Sequence, residues 1–566
     1  MAATALRLLK RYEQLLSVQQ PCRTVWQDIA DFVIPYKANI ITKRLEGAKQ
    51  TDRLFDATAP HALLLLGASL NASMTPATQP WLSLAMRSEA LNAIKEVQDW
   101  LEDCARRMHR AFRQSTFNQS VHELYLDLAA FGTGALFVEE RPITRAGVFG
   151  GFRFQVPALG TYVIAEDAEG VVDTLFRTLT LSVRAAYAKW QEKIGREWLT
   201  KLAQKPDDPV EILHAVYPRA ERAYGADGVP KRGGANMAYA SCYVALQPKH
   251  KIEEGGFEEF PFMVPRWAKT SGEVYGRGPS HTALPDIATL NAAKEFILKA
   301  APLAMWPPSL ERDDSVVGEL DTNPMGRNVV NGAGPIGEQL AFMDTRQRPD
   351  LRQLVLADLR QAVHAIYFTE QLILREKPDM TATEVMALQE QMQRLLGPTT
   401  GRLESEFLNP LVQRAFAIMA RAGAFLPLPE ALREVTRRGQ ADLDVEYEGP
   451  MARAQRTIEL AAQDRVVGFV LAVAQGKAQF PAAEWDLLKT DKMIRDRADI
   501  TGLPSDNLEA QATVDQVREA RREAADNKGK LDMATQMAEA AGKVAPFMKQ
   551  AGEMAGAQNG QTGRAA

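Results

Sequence analysis

The stretch Pro261-Phe-Met-Val-Pro265-Arg266-Trp267-Ala-Lys-Thr-Ser-Gly272-Glu-Val-Tyr275-Gly-Arg-Gly-Pro279 divides the chain: past it come a helix, a polar glycine-rich excursion and a second, longer helix. The first helix is predicted over about Ser280 to Ala301, with Leu284, Ile287, Leu290 and Ile297 on one side. The second, over about Asp350 to Leu374, carries Leu351, Val355, Leu359, Ala362 and Ile366 at steps of three and four. Each has one narrow apolar stripe between polar flanks, which cannot complete a core alone. Leu351, Val355, Leu359 and Ile366 are therefore predicted packing positions, against a helix of the same chain or of a neighbouring copy.

Upstream, residues Leu6 to about Met74 read as mostly helical, Pro35 ending the segment that carries Trp26, Ile29 and Val33. A second helical block covers about Leu91 to Phe131. Between Ala135 and Leu181 the apolar period changes to two: Phe152, Phe154 and Val156, then Tyr162 and Ile164, then Val172 and Leu175 around the turn at Glu169-Gly170. That pattern predicts an antiparallel meander, with further strands at Glu211 to Tyr217, Tyr239 to Leu246 and Phe257 to Trp267. The fold class is thus α+β, mainly helical.

Downstream, Pro302 to Phe342 is too dense in turn formers for long helices and has room only for short strands such as Arg327 to Val330. Thr381 and Glu384 form a capping-box pattern, with Met380 and Val385 as its hydrophobic staple, so a new helix is expected there. Another runs from about Arg402 to Ala422, with a kink expected at Asn409-Pro410. The chain is helical again past Pro450, and beyond Asp526 its Ala-, Gln- and Gly-rich composition reads as a flexible tail.

Composition narrows the function. The chain has 566 residues, 46% hydrophobic and 24% charged, with a formal net charge of −4. A tight DNA binder rests on Lys and Arg neutralising phosphates and is markedly basic, which this chain is not. Cys22, Cys104 and Cys242 have no paired spacing, so neither a disulfide framework nor a zinc site is predicted and the compartment reads as reducing. The N-terminal stretch is interrupted by Arg7, Lys10, Arg11 and Glu13, and the apolar runs Ala62 to Leu70 and Val466 to Ala474 are far short of a bilayer span. No membrane span is expected.

No catalytic signature survives its context. Gly332-Ala-Gly-Pro-Ile-Gly337 has the spacing of a dinucleotide loop, but leads through Arg346-Gln-Arg-Pro349 into a long amphipathic helix without the second strand and acidic end that the motif needs. His122-Glu123 lacks a second zinc-binding histidine, and neither a nucleophile elbow nor a phosphate-binding P-loop is present. No catalytic, cofactor-binding or metal-binding residue is assigned, and no cofactor or enzymatic activity is expected. Two other readings stay open on residues alone: a nucleotide-binding oxidoreductase using Gly332 to Gly337, and a helical scaffold or adaptor without a channel.

Trp26-Gln-Asp-Ile-Ala, Asp56-Ala-Thr-Ala, Met74-Thr-Pro-Ala-Thr-Gln-Pro-Trp81, Arg266-Trp267, Tyr275-Gly-Arg-Gly-Pro279, Met380-Thr-Ala-Thr-Glu-Val385 and Val445-Glu-Tyr-Glu-Gly-Pro-Met-Ala-Arg-Ala-Gln455 follow one another over Leu6 to Arg522. In that order and spacing they resemble the portal, or head-to-tail connector, proteins of short-tailed double-stranded DNA bacteriophages. The resemblance implies a wing over residues 1–279, a stem helix over 280–301, a clip over 302–343, a second stem helix over 344–374, a tunnel loop and wing helices over 375–449, a crown over 450–525 and a flexible tail over 526–566. It also implies a ring of about twelve copies, since head-to-tail cyclic contact is how identical chains enclose a channel.

Such a ring occupies one capsid vertex of the virion, after assembly in the host cytoplasm. Its implied partners are the major capsid and scaffolding proteins, the terminase large subunit during packaging, the tail adaptor and tail tube, and the double-stranded DNA passing through. A near-neutral wall suits DNA that must slide. Residues Leu374 to Thr381, broken by Pro378, read on their own as a surface connector; the resemblance aligns them with the tunnel loop, making Arg375 and Lys377 candidate DNA contacts. Lys294 and Lys299, on the polar side of the first long helix, are candidates of the same kind, with a solvated or salt-bridged face as the equal alternative for both.

Overall fold

In the computed structural model the chain opens with α1 (Ala2–Val33), a 32-residue helix that keeps Pro21 within it. Residues 2–448 are described apart from single positions and the stretches 142–148, 223–232, 313–320, 331–339, 343–348, 373–396 and 438–444; beyond them the described residues are 493–494, 509, 513–530, 533 and 536. Leu8, Leu15, Trp26, Ile29 and Val33 fall at helical steps on one face of α1 and are buried. Ile34, preceding Pro35, is forced out of helical geometry at φ −139°, and the helix ends there.

Next come α2 (Thr58–Met74), β1 (Ser83–Met86), α3 (Glu89–Asn92), α4 (Lys95–Arg113) and α5 (Phe117–Phe131). Helix α5 closes on Gly132 at φ +72°, the left-handed cap that glycine adopts without steric cost. The chain then forms β2 (Leu136–Glu140), β3 (Phe152–Gln155), β4 (Tyr162–Glu166) and β5 (Val172–Ser182). After α6 (Val183–Trp190) and α7 (Arg196–Gln204) it continues with β6 (Pro209–Pro218), β7 (Tyr239–Ala245), β8 (His250–Phe257) and the two-residue β9 (Phe262–Met263). Strands β4 to β8 are neighbours in chain order, each antiparallel to the last, and β3, β2 and β9 make a second, smaller sheet.

A meander of five strands with two covered faces is therefore present, but it starts at β4: the strand expected at Phe152 to Val156 is β3, which pairs with β2 in the smaller sheet. On one face Val163, Phe176, Leu213, Ala215, Cys242 and Val244 pack under Leu8, Leu9 and Leu15 of α1. On the other, Ile212, Tyr243 and Ala245 pack under Val183, Trp190, Ile194 and Trp198 of the α6–α7 segment. The period of two sends alternate residues of β6 and β7 to opposite cores. The strand expected over Phe257 to Trp267 is instead the end of β8 followed by the short β9. Strand β8 is an edge strand bearing Lys251, Glu253, Glu254, Gly255 and Gly256, and such edge chemistry hides the apolar alternation of a strand.

Helix α8 (Pro279–Met305) has 27 residues, and β10 (Ser309–Arg312), β11 (Arg327–Val330) and β12 (Leu340–Phe342) form a three-stranded sheet between it and α9 (Pro349–Ile366). The second long helix is shorter than expected. It stops at Ile366; Phe368 takes φ +57°, and α10 (Thr369–Leu372) starts directly after. Farther on, a π-helical turn at Glu404–Leu408 leads into α11 (Asn409–Arg421), followed by α12 (Glu430–Arg437) and β13 (Val445–Glu448), which pairs antiparallel with β1. The irregularity expected at Asn409-Pro410 is this π turn: Pro410 has no N–H for the carbonyl of Glu406, and the wider turn accommodates its ring. The helix expected from Thr381 lies outside the described residues.

The contacts divide the chain into two units, residues 1–89 with 100–454, and 90–99 with 455–566. In the second the principal described element is a helical run over 513–530, almost wholly exposed and continuing past Asp526.

Candidate functional site

The start of α8 is fixed by backbone packed on backbone. A Cβ at Gly276 would stand 2.4 Å from the carbonyl oxygen of Gly132, and one at Gly278 would stand 2.9 Å from that of Ala129. Gly132 is as confined from its own side, where a Cβ would meet the Gly278 nitrogen at 2.4 Å. Hydrogen bonds complete the seam: Trp267 N donates to Gly132 O, Gly276 N to Thr133 Oγ1 and Arg277 N to Ala268 O. The glycines of Tyr275-Gly-Arg-Gly-Pro279 are thus required by contact.

Tyr275 and Arg266 tie the same stretch to the body. The buried Tyr275 hydroxyl accepts from Gln19 at 3.0 Å and from Ile164 N at 3.1 Å, and its ring meets Trp26 edge to face at 5.2 Å. Arg266 donates to Glu406 of the π turn through Nε at 3.1 Å and Nη2 at 2.7 Å, to Glu166 through Nη1, and to the carbonyls of Val274 and Gly170. Lys269 adds a second cation on Glu166 at 2.6 Å. Burial alone would depress the Arg266 guanidinium, but Glu406 and Glu166 outweigh it and the group is held firmly charged.

The two long helices are joined to each other at two points, the second of which also takes in the start of α2. Ser280 Oγ donates to Ala129 O, so the Tyr367 hydroxyl donates to Ser280 at 2.6 Å and connects the end of α9 to the start of α8. Above this lies Asp56, whose side chain is 3% exposed. Its Oδ1 accepts from Thr58 N and Thr58 Oγ1, its Oδ2 accepts from Lys294 and Arg360, and its own N–H donates to Asn291 Oδ1. Burial by itself would raise the Asp56 carboxyl; the bonds from Thr58, Arg360 and Lys294 outweigh it and hold the group well below the usual carboxylate range. One acid thereby gathers α2, α8 and α9.

Of the residues singled out by sequence, Lys294 lies in this clasp, 3.2 Å from Asp56, and Lys299 pairs with Glu295 one turn away at 2.8 Å. Arg375 and Lys377 lie outside the described residues, as does the Gly332 to Gly337 loop. Val355 is 52% exposed, Leu359 and Ile366 are half-buried, and the Leu351 side chain is not described. The face of α9 buried within this chain carries Val363 and Tyr367 instead. Sequence reasoning assigned no role to Asp56, Arg360 or Tyr367. The trace it could have followed is Asp56-x-Thr58 before a helix, the spacing of an Asx turn, together with an arginine midway along the second long helix. Among the described residues no group of three or more His, Cys, Asp or Glu could hold a metal ion, and no helix is long and apolar enough to cross a membrane.

Comparison with known proteins gives a consistent set. The model of the family described as bacteriophage head to tail connecting protein matches residues 5–508. The probable portal protein of Bordetella phage BPP-1 is 28% identical over 556 residues, covering 95% of this chain and 94% of the relative. The portal protein of Salmonella phage epsilon15 is 27% identical over 542 residues, covering 91% and 90%. A chain from the virion of a native gene transfer agent particle aligns over 76% of this chain and 89% of its own length at 11% identity, with a TM-score of 0.34, too low to argue from.

Proposed function

This chain belongs to the bacteriophage head-to-tail connecting protein family, so it is a structural portal protein of a phage virion, and from that premise we propose how its parts serve the connector. Copies assemble head to tail into a ring of about twelve at one capsid vertex. Helices α8 and α9 form the stem, the β10–β12 sheet forms the clip, residues 375–449 contain the tunnel loop, and the chain past 450 forms the crown. Duplex DNA passes through the ring during packaging and ejection. The terminase and the tail adaptor dock on the clip in turn, and capsid and scaffolding proteins surround the body during assembly in the host cytoplasm. ATP hydrolysis belongs to the terminase; this chain has no assigned catalytic residue.

One observation supports the ring most. Helices α8 and α9 are locked together at Ser280–Tyr367 and Asp56, yet Phe296 is 71%, Leu298 53% and Val355 52% exposed in the single chain. Large apolar groups on rigid helices leave water when a neighbouring copy covers them. Native mass spectrometry of the purified protein tests this directly. Closed assemblies of about twelve copies are expected; a monomer or dimer at all concentrations would remove the ring, and with it the channel.

A further inference from the structure

The Asp56 clasp holds more positive charge than it needs. Oδ2 of Asp56 receives three donors: Lys294 Nζ at 3.2 Å, Arg360 Nε at 3.2 Å and Arg360 Nη2 at 2.7 Å. A carboxylate oxygen has two lone pairs, and Oδ1 is already taken by the N–H and hydroxyl of Thr58. Two cations therefore share one anion, a local excess of one positive charge. The neighbouring acid Glu295 is engaged by Lys299 at 2.8 Å. Asp358 precedes Arg360 by two residues in α9, which places it about 200° away around the helix.

The two cations are not equivalent. Arg360 grips with two nitrogens, whereas Lys294 makes one longer contact, and their side chains are 41% and 33% exposed against 3% for Asp56. Both cations thus keep part of their side chain in water, and the single contact of Lys294 is the weaker hold. Removing the only cation from a buried carboxylate is strongly destabilising. That cost does not arise here: if Lys294 swings away, Arg360 and Thr58 still satisfy Asp56 and still join α2 to α9.

We propose that the clasp is an anion-exchange site, in which Lys294 passes between the Asp56 carboxylate and a phosphodiester oxygen of duplex DNA while Arg360 keeps the helices joined. The proposal rests on the ring-and-channel reading and deepens it by giving the channel wall a cation with a built-in competitor. Each phosphate that meets Lys294 must displace it from Asp56, so the grip on DNA is shallow and readily reversed. A lysine without such a competitor would hold each phosphate longer.

The test uses the full-length assembled protein and a short fluorescent DNA duplex, with binding followed by anisotropy as salt is raised. Lys294→Met is expected to weaken binding about fivefold at low salt and to flatten the plot of log affinity against log salt, by about one unit for each phosphate no longer neutralised. Asp56→Asn, which keeps the shape and removes the competitor, is expected to tighten binding by a similar factor, and its melting curve shows whether the fold is retained. An unchanged salt slope for Lys294→Met overturns the proposal whether or not Asp56→Asn folds. A folded Asp56→Asn that binds no more tightly overturns it too, as does wild-type protein that forms rings but does not bind the duplex at low salt. Electron microscopy of the same samples separates the two levels: wild type without rings sinks the channel reading, whereas rings with unaltered binding in both variants sink the exchange alone.

Discussion

His214 sits wholly inside the body, its Nδ1 accepting from Arg177 Nε at 3.1 Å, its Nε2 facing Ser241 Oγ at 3.0 Å, and its ring stacked on Tyr243 at 4.3 Å. Because Nδ1 accepts, the ring proton lies on Nε2 and is donated to Ser241. Burial, then the charges of Arg177 and Lys189, push the His214 pKa well below its ordinary value. The unfolded chain takes up a proton near pH 6.5 that the folded chain refuses, so stability is intact above that pH and falls below it, by at most about 1.4 kcal/mol per pH unit. The melting temperature is expected to drop between pH 7 and pH 5, and the drop to be smaller in His214→Gln; equal slopes would mean that other groups set the acid limit. Gly276 gives a second residue-scale expectation. With backbone 2.4 Å from a new Cβ, Gly276→Ala should cost about 2 kcal/mol or more, read as a lower denaturation midpoint. The motif Tyr275-Gly-Arg-Gly-Pro279 was legible as a signature, whereas the reason for its glycines was not, since the surface they press on lies around Gly132, more than a hundred residues earlier.

Among the elements, α8 and α9 were legible in their starts and directions, because Pro279 and Pro349 punctuate them and apolar residues recur at helical steps. The break after Ile366 was not. No Gly or Pro marks it, and Phe368 adopts a left-handed conformation that costs a bulky residue about 1–2 kcal/mol. One local and one tertiary bond hold it: Thr369 Oγ1 donates to His364 O at 3.0 Å, and the Tyr367 hydroxyl is committed to Ser280. Tyr367→Phe removes that last bond while keeping the ring, and should lower stability by about 1 kcal/mol in chemical denaturation. The stripe on α9 was also read without a way to tell an internal neighbour from an external one. Val355 is exposed in the single chain, so Val355→Asp should leave the melting temperature of the monomeric chain nearly unchanged and abolish rings in electron microscopy. Intact rings in that variant would take α9 out of the subunit contact. The α6–α7 segment and the edge strand β8 escaped notice for a simpler reason: short helices and charged, glycine-bearing strands carry little periodicity.

For the whole molecule, the chain's order was the most legible property, because it follows from punctuation and period alone: α+β body, helix, turn-rich insert with short strands, helix; that those strands join in one sheet was not legible. Replacing residues 307–341 by a short Gly-Ser linker removes the β10–β12 sheet while sparing Ser280–Tyr367 and the Asp56 clasp. The expected outcome is a folded, ring-forming protein that no longer retains terminase or tail adaptor in pull-down, and undiminished retention of both would place docking elsewhere.

The meeting of Gly132 with Gly276 and Gly278 also has a mechanical side. A side chain under load yields by changing rotamer, but here main-chain atoms press on main-chain atoms with no room for even a methyl group between them. A pull or twist delivered along α8 must cross this joint, and its remaining compliance lies in bond angles and hydrogen-bond lengths, which resist distortion steeply. Glycine is the most yielding residue in an open chain; at this junction three of them are the stiffest link in the path of the force.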